Sequence, residues 1–518
     1  MQQSHRLIYN TFILWLMRVL RLIPDLLLLP LILRQVGQDA YGVYVLAWSL
    51  TVVVELAQVG LSTAVVKYGA ACFAERRMDE LNRILSAACA YCLAVGVLGC
   101  LVISLLAQLS RGGLWMSSHA GTEAGSFAFF MVGLTVLVTV PVSPYLGILQ
   151  AMQRHDLAAV VQTGTQYLRL LLVLVWFAVM GPSLESLMIG SVLAFATRSW
   201  LLVWLAYRLV PGLHNRITQI RREVLWRLFS FGGMILLCTG CTALGDTGMK
   251  WMMGCLVDTS FVAHMSILLL PAQLLSEIVA AMTLTVMPAA SQCCALAQGA
   301  VMKELLVRGT RYVALAGAAA TVAAVFALRP VLAAWLGSGY VFLSGYALVV
   351  LSSAAFLMST SCAHHVLRGT GHLGLSLLNS VVGIALVPPV VAAVGTCISG
   401  RPYGALVVGV SLGNIVYGVM QIVTCSAVVG VPLREVVLRS YVPVLCSAGV
   451  ICLGLLSVEG CFGVGGVGEQ IAKGMVASIL CGLVFCICFS TSAERNLLKE
   501  GVLLAVRRVI FSNQGSKA

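Results

Sequence analysis

Charged side chains interrupt the long apolar stretches of this chain, and they are its best candidates for chemistry. Arg18, Arg21 and Asp25 are spaced three and four residues apart, so they lie on one face of a helix. Pro24 stands among them, removes a backbone donor and can kink that helix. Two interpretations of the arginines stay open: they line a polar cavity and bind an anionic group, or their long side chains extend to the polar edge of a bilayer.

Other charged residues lie within later apolar stretches, most of them near the middle, with Asp246 and Lys250 near a helix end. They are Glu55, Arg169, Arg198, Asp246, Lys250 and Glu277. A charge at the centre of a bilayer costs about 2.5–3.5 kcal/mol on insertion scales, so it normally faces a partner or a water-filled cavity. Asp246 precedes Lys250 by four residues, the order that favours an ion pair on a helix, and that pair has either a structural or a functional role.

The motifs of common catalytic and metal sites are missing from the sequence. There is no H-E-x-x-H, no P-loop and no G-x-S-x-G, and the polar loops are too short to form a soluble catalytic domain. Cys238 and Cys241 form one C-x-x-C within apolar sequence, without the second pair of ligands that a zinc site needs. We therefore expect a protein that is not an enzyme, without catalytic residues, a bound metal or a cofactor.

The composition places the helices that carry these charges in a membrane. Hydrophobic residues make up 60% of the 518 residues and charged residues only 10%, whereas a soluble domain has about 25% charged residues. A net charge of +13 would suggest nucleic acid as a partner of a soluble protein, but an excess of Lys and Arg is also typical of the cytoplasmic loops of membrane proteins. We predict an all-α integral membrane protein that does not bind nucleic acid.

Fourteen apolar stretches reach the length of about 20 residues that a spanning helix needs. They cover residues 8–33, 41–66, 84–108, 126–149, 158–181, 185–207, 228–256, 261–288, 309–334, 342–366, 374–396, 404–430, 441–459 and 469–491. When the N-terminus is placed in the cytoplasm, most of the 32 Lys and Arg residues fall on the cytoplasmic side. The sequence therefore predicts about fourteen transmembrane helices, with both termini in the cytoplasm.

A long basic connection at about 208–227 and a faint internal repeat divide these helices into two groups. The segments Gln38–Tyr41 and Val257–Phe261 are similar and open the second and the eighth predicted helix. Transporters are often built from such repeats. The predicted organisation is an N-terminal lobe of six helices at 1–209, a basic cytoplasmic linker at 210–227, a C-terminal lobe of six helices at 228–430, two additional helices within 431–492 and a cytoplasmic amphipathic tail at 493–518.

Several local motifs, in this order and spacing between residues 7 and 430, resemble those of polysaccharide transporters. The motifs are the segment 31–44, Gly60-Leu61-Ser62, Ala64–Tyr68, Asp246, Val286–Ser291, Trp335-Leu336-Gly337 and Val366–His372. Polysaccharide transporters are bacterial oligosaccharide flippases of the multidrug/oligosaccharidyl-lipid/polysaccharide (MOP) superfamily. The resemblance implies two pseudo-symmetric six-helix lobes around a central cavity that opens to one side at a time, followed by two extra C-terminal helices.

The resemblance also implies a substrate, a location and partners. The substrate would be an oligosaccharide linked to polyprenyl pyrophosphate, moved from the cytoplasmic to the outer leaflet of a bacterial inner membrane during synthesis of a cell-surface polysaccharide such as lipopolysaccharide. The implied partners are this lipid-linked oligosaccharide, the membrane lipids, and the polysaccharide polymerase and glycosyltransferases of the same pathway.

Specific residues fit these roles because arginine forks suit phosphate. The expected substrate-binding residues are Arg18, Arg21, Arg169, Arg198 and Lys250. The carboxylates Asp25, Glu55 and Asp246 would either orient the arginines or bind a coupling H⁺ or Na⁺. Two alternatives stay open: a cation-coupled multidrug exporter of the MATE type, which would use the carboxylates, and a membrane-embedded enzyme or scaffold of polysaccharide synthesis.

Overall fold

Helices make up the architecture of the chain. The computed structural model describes residues 2–111, 123–216, 240–241, 243–283, 286–462 and 466–488, and this part contains no β-strand. Its α-helices are α1 Gln2–Gln35, α2 Gln38–Ala74, α3 Met78–Arg111, α4 Glu123–Thr139, α5 Ser143–Ala151, α6 His155–Met180, α7 Leu184–Leu209, α8 243–256, α9 Thr259–Thr283, α10 Val286–Ala295, α11 Gly299–Trp335, α12 Leu343–Ser359, α13 Ser361–Gly369, α14 Leu373–Ser380, α15 Val387–Ser399, α16 Pro402–Val429, α17 Leu433–Val436, α18 Val442–Phe462 and α19 Val467–Cys488.

Twelve segments of the described chain are long and apolar enough to cross a membrane. They coincide with twelve of the fourteen predicted stretches. The other two stretches are 8–33, which lies within α1, and 228–256, which falls partly outside the described residues. The structure therefore confirms an all-α, multi-pass membrane protein.

Proline explains why some predicted single helices are divided in the structure. The stretch 126–149 forms α4 and α5, which are separated by the 3₁₀ turn Val140–Val142 that contains Pro141. Proline donates no backbone hydrogen bond, so the regular ladder is interrupted there. A π-helical turn at Val381–Leu386 likewise separates α14 from α15, directly before Pro388.

The chain divides into two compact units. The first unit comprises residues 1–281 and 371–420, and the second comprises residues 282–370 and 421–518. These units are defined by contacts between residues, whereas the lobes 1–209 and 228–430 are predicted from a repeat of six helices. The two divisions are therefore not the same quantity, and the lobes stay a prediction. Most of the predicted linker beyond residue 216 and the whole amphipathic tail at 493–518 lie outside the described residues.

In the first unit, α6 lies along α1 and completes its hydrogen bonding at the proline. Pro24 has no N–H, so the carbonyl of Leu20, four residues earlier, lacks its usual helical donor. The hydroxyl of Tyr167 donates to this carbonyl at 3.1 Å, and the hydroxyl of Thr163 donates to the carbonyl of Met17 at 3.1 Å. These two bonds fix the part of α1 that carries the arginines against α6.

In the second unit, small residues allow helices to approach closely. A Cβ atom at Gly317 of α11 would lie 3.0 Å from the Cβ of Ala355 on α12, and one at Gly474 of α19 would lie 2.8 Å from the carbonyl oxygen of Ala323 on α11. Ser478 of α19 donates to the carbonyl of Ala319 at 2.8 Å. Small residues and serine bonds of this kind are typical of helix contacts inside membranes.

Candidate functional site

Arg169 of α6 is a buried hydrogen-bond donor that links four helices. Its Nη1 donates to Asp25 Oδ1 of α1 at 2.9 Å and to Gln166 Oε1 of α6 at 3.3 Å. Its Nη2 donates to the Tyr44 hydroxyl of α2 at 2.8 Å, and its Nε donates to the Ser191 hydroxyl of α7 at 3.3 Å. Only 8% of the residue is exposed. Each of its three nitrogens therefore already has a protein partner.

Aromatic rings of α2 enclose the same guanidinium. Tyr41, Tyr44 and Trp48 follow each other three and four residues apart, so their rings stack along one face of the helix, with centroid distances of 6.1 and 5.7 Å. The Cζ of Arg169 lies 5.9 Å from the Tyr44 ring centroid and 6.0 Å from that of Trp48, within the range of a cation–π interaction. This surrounding makes Arg169 a structural centre of the first unit rather than an open anion site.

Arg18 and Arg21 of α1 share a single carboxylate, Glu277 of α9, and we call these three residues the shared-carboxylate site. Arg18 Nε lies 3.5 Å from Glu277 Oε2, and Arg21 Nη2 lies 3.9 Å from Glu277 Oε1. Both distances exceed the 2.7–2.9 Å typical of a charge-assisted hydrogen bond. About a third of each of the three side chains is exposed, yet the Arg18 Nη1 atom is buried without a hydrogen-bond partner. The site thus has one cation in excess and unused donors.

Asp246 and Lys250 form an ion pair within α8. Lys250 Nζ donates to Asp246 Oδ2 at 2.6 Å, and the lysine side chain is 15% exposed while that of the aspartate is 47% exposed. The residue after each member of the pair bonds to α2: Trp251 Nε1 donates to the Ser49 hydroxyl at 3.0 Å, and the Thr247 hydroxyl donates to the Ser49 carbonyl at 3.4 Å. The pair is therefore carried by a helix that is docked against α2.

Arg198 of α7 and Glu55 of α2 form the last charged group among the expected residues. The two side chains interact electrostatically. The Arg198 Cζ lies 5.1 Å from the ring centroid of Phe195, and its Nε is buried without a hydrogen-bond partner. Among the expected site residues, Arg198 is thus the second arginine, after Arg18, with a buried nitrogen that has no hydrogen-bond partner.

The structure divides Arg18, Arg21 and Asp25 of α1 between partners on two other helices. Asp25 pairs with Arg169 of α6, whereas Arg18 and Arg21 pair with Glu277 of α9. The two arginines therefore have a protein partner on α9, and both interpretations of their role stay predictions. Among the described residues, no group of three His, Cys, Asp or Glu side chains could hold a metal ion.

Sequence reasoning identified the charges of the site but missed several of their partners. Glu277 was recognisable only as a charge inside an apolar stretch, and nothing in the sequence connects it with α1. Tyr44 carries a signal in its spacing from Tyr41 and Trp48, whereas the role of Ser191 has none. The binding and coupling roles expected for the charged residues stay predictions.

Solved structures share this fold. An inward-facing MATE family multidrug resistance transporter of the MOP superfamily is similar with a TM-score of 0.67 and 14% identity, over 81% of this chain and 99% of that one. A MOP superfamily transporter from Pyrococcus furiosus is similar with a TM-score of 0.60 and 12% identity, over 82% of this chain and 96% of that one. The reverse polarity of the binding pocket of that transporter suggests a different function. A variant of the Vibrio cholerae MATE transporter VcmN is similar with a TM-score of 0.58 and 15% identity, over 83% of this chain and 98% of that one.

The sequence itself matches no protein-family model and no curated protein. At 12–15% identity, the likeness to solved structures shows the fold alone. The chain therefore has the fold of MATE-type transporters.

Proposed function

We propose that this chain is an alternating-access flippase that moves an oligosaccharide linked to polyprenyl pyrophosphate from the cytoplasmic to the outer leaflet of a bacterial inner membrane. The observation that carries the proposal is the shared-carboxylate site, where Arg18 and Arg21 of the predicted first transmembrane helix have one carboxylate between them. The MATE-type fold supports transport, and the excess positive charge supports an anionic substrate.

The diphosphate of the substrate suits this site chemically. It offers several acceptor oxygens and at least two negative charges, and planar guanidinium groups bind such oxygens in a forked geometry. The buried Nη1 of Arg18 is one donor that a phosphate oxygen would satisfy. In this proposal the sugars occupy polar space while the polyprenyl tail stays in the bilayer, and the flipped product supplies synthesis of a cell-surface polysaccharide.

The other expected residues take different parts in the proposal. Arg169 positions Asp25 and the helices around it, since all its nitrogens are engaged. Arg198 is a second phosphate ligand, because its Nε lacks a partner. Asp25 and Glu55 are exposed residues and the Asp246 side chain is about half exposed, so each of them can exchange a coupling H⁺ or Na⁺ during the cycle.

A MATE-type multidrug exporter is the second candidate, and the solved structures with this fold favour it, since most of those named above are MATE transporters. Such an exporter would carry organic cations and would depend on the carboxylates. An under-neutralised arginine pair would repel a cation, which favours the flippase.

The deciding experiment measures translocation of fluorescent lipid-linked oligosaccharide in proteoliposomes. We expect the double substitution Arg18→Ala/Arg21→Ala to reduce the initial rate at least about 100-fold, because the two charge-assisted contacts to the diphosphate are lost. The matched control is Lys303→Ala/Arg439→Ala in the second unit, which also removes two cations that share one carboxylate, Glu435. The control should transport at the wild-type rate.

Two results would overturn the proposal. One is undiminished translocation by the Arg18→Ala/Arg21→Ala protein at normal expression. The other is ion-driven efflux of a cationic dye by the wild-type protein that persists in the same double variant, which would establish the exporter instead.

A further inference from the structure

We propose that Glu277 is a resident anion, which occupies Arg18 and Arg21 when no substrate is bound and is displaced by the diphosphate of the substrate. The inference rests on the proposed function and assigns a role to a residue outside the predicted ligand set. Displacement of Glu277 would cut the ionic link between α1 and α9, so binding of the substrate would change the connection between two helices.

The first argument is the poor fit between Glu277 and its two arginines. Two guanidinium groups offer ten N–H donors, and the closest nitrogen–oxygen distances to the single carboxylate are 3.5 and 3.9 Å. Neither contact has the length of a strong charge-assisted hydrogen bond. The carboxylate therefore neutralises part of the charge without satisfying the donors, which is what a replaceable ligand requires.

The second argument is that the arginines remain accessible beside Glu277. The Arg18 side chain is 35% exposed and that of Arg21 is 36% exposed, whereas Arg169, the engaged arginine, is 10% exposed at its side chain. An incoming diphosphate can thus reach both groups. It carries more charge and more acceptor oxygens than a carboxylate, so it competes favourably for the same donors.

The third argument concerns α9, whose N-terminal part is held by different contacts. The His264 ring nitrogens lie 2.7 Å from the Tyr403 hydroxyl of α16 and 3.2 Å from Gln38 Oε1 of α2, and the Ser260 hydroxyl bonds to Asp39 of α2. These contacts do not involve the arginines. The N-terminal part of α9 therefore stays anchored when Glu277 is released.

Pro271 lies between the anchored part of α9 and Glu277. Because proline has no N–H, the carbonyl four residues earlier loses its helical donor, and the helix can bend at this point. Once Glu277 leaves the arginines, the C-terminal part of α9 can move about Pro271 while the N-terminal part stays in place. Substrate binding and helix movement are in this way connected through one carboxylate.

The test measures binding of inorganic pyrophosphate to the purified full-length protein by isothermal titration calorimetry. We expect Glu277→Gln to bind pyrophosphate about fivefold to tenfold more tightly than wild type, because an amide does not compete for the arginines as a charged group. Glu277→Asp, which keeps the charge, should bind no more tightly than wild type. Glu435→Gln is the matched control, since Glu435 is also shared by two cations, and it should leave the affinity unchanged.

Translocation gives an independent readout. Glu277→Gln should bind the anion more tightly and nevertheless transport lipid-linked oligosaccharide more slowly, because release of the α1–α9 link no longer accompanies binding. Unchanged or weaker pyrophosphate binding by a folded Glu277→Gln protein would overturn the role of Glu277. So would tighter binding in the Glu435→Gln control.

Failure of the proposed function gives a different pattern. If the wild-type protein moves no lipid-linked oligosaccharide but Glu277→Gln still binds pyrophosphate more tightly than wild type and Glu277→Asp, the flippase proposal is wrong and the exchange of anions at Glu277 stands. If the wild-type protein flips the substrate and Glu277→Gln shows no gain in affinity, the flippase stands and the role of Glu277 is wrong.

Discussion

In two places within the described part of the chain, one glutamate is shared by two cations, and the two places differ in the distances from the glutamate to its cations. In the second unit, Glu435 lies 2.7 Å from Lys303 Nζ and 2.9 Å from Arg439 Nη1. In the first unit, Glu277 lies 3.5 and 3.9 Å from its two arginines. The distances at Glu435 are those of charge-assisted hydrogen bonds, whereas the distances at Glu277 are too long for such bonds.

The number of charges alone therefore does not distinguish a structural ion-pair cluster from a binding site. Both groups contain two cations and one acid, but the group on α1 and α9 has longer ion-pair distances and a buried Arg18 Nη1 atom without a hydrogen-bond partner. Arg169 is the opposite extreme within the first unit, since its three nitrogens bond to four side chains. We therefore expect the number of satisfied donors to distinguish arginines that stabilise the fold from arginines that bind a ligand.

The largest expected effect on stability is that of Arg169→Ala. It leaves the buried Tyr44 and Ser191 hydroxyls and the Asp25 carboxylate without their partner. A hydrogen bond to a charged group contributes about 1.5–3 kcal/mol and several are lost together, so the midpoint of thermal unfolding in detergent should fall markedly. Arg169→Lys should recover little of this loss, because an ammonium group cannot reach all these acceptors in their fixed directions. An unchanged midpoint for both variants would show that Arg169 is not a structural centre.

A smaller loss is expected for Asp25→Asn, which tests whether Asp25 serves to orient Arg169. The substitution weakens one bond of 2.9 Å and leaves the bonds of Arg169 to Tyr44, Ser191 and Gln166. We expect a loss of about 1.5–3 kcal/mol, the range for a hydrogen bond to a charged group, measured by the same unfolding assay. A loss as large as that of Arg169→Ala would instead make Asp25 the essential member of the pair.

The sequence was sufficient to predict the membrane helices because their signal is local. Length and apolar composition locate twelve spans that the structure confirms. Breaks such as the 3₁₀ turn at Pro141 were harder to place, since a proline is tolerated in a membrane helix wherever neighbours satisfy the freed carbonyl. Tyr167 does this for α1 at Pro24, and that partner follows only from tertiary packing.

The sequence predicts which charged residues belong to the candidate site, but it does not predict which acid pairs with which arginine. Helical spacing places Arg18, Arg21 and Asp25 on one face, but that face borders two helices, and the side chains divide between them. Which acid meets which arginine depends on how distant segments pack. Glu277 is the clearest case, because Arg18 and Arg21, with which it pairs, are far from it in the sequence.

The smallest expected effect on stability is that of Arg21→Lys, and it separates the two kinds of arginine most directly. Arg21 approaches Glu277 only to 3.9 Å, so lysine keeps the charge and no short hydrogen bond is lost. The free energy of unfolding should change by less than about 1 kcal/mol, as for partly exposed ion pairs in general. Pyrophosphate affinity should nevertheless fall, because an ammonium group lacks the forked geometry of guanidinium. Arg169→Lys should show the reverse, with a large loss of stability. Equal losses of stability in the two lysine variants would contradict the distinction between an engaged and an available arginine.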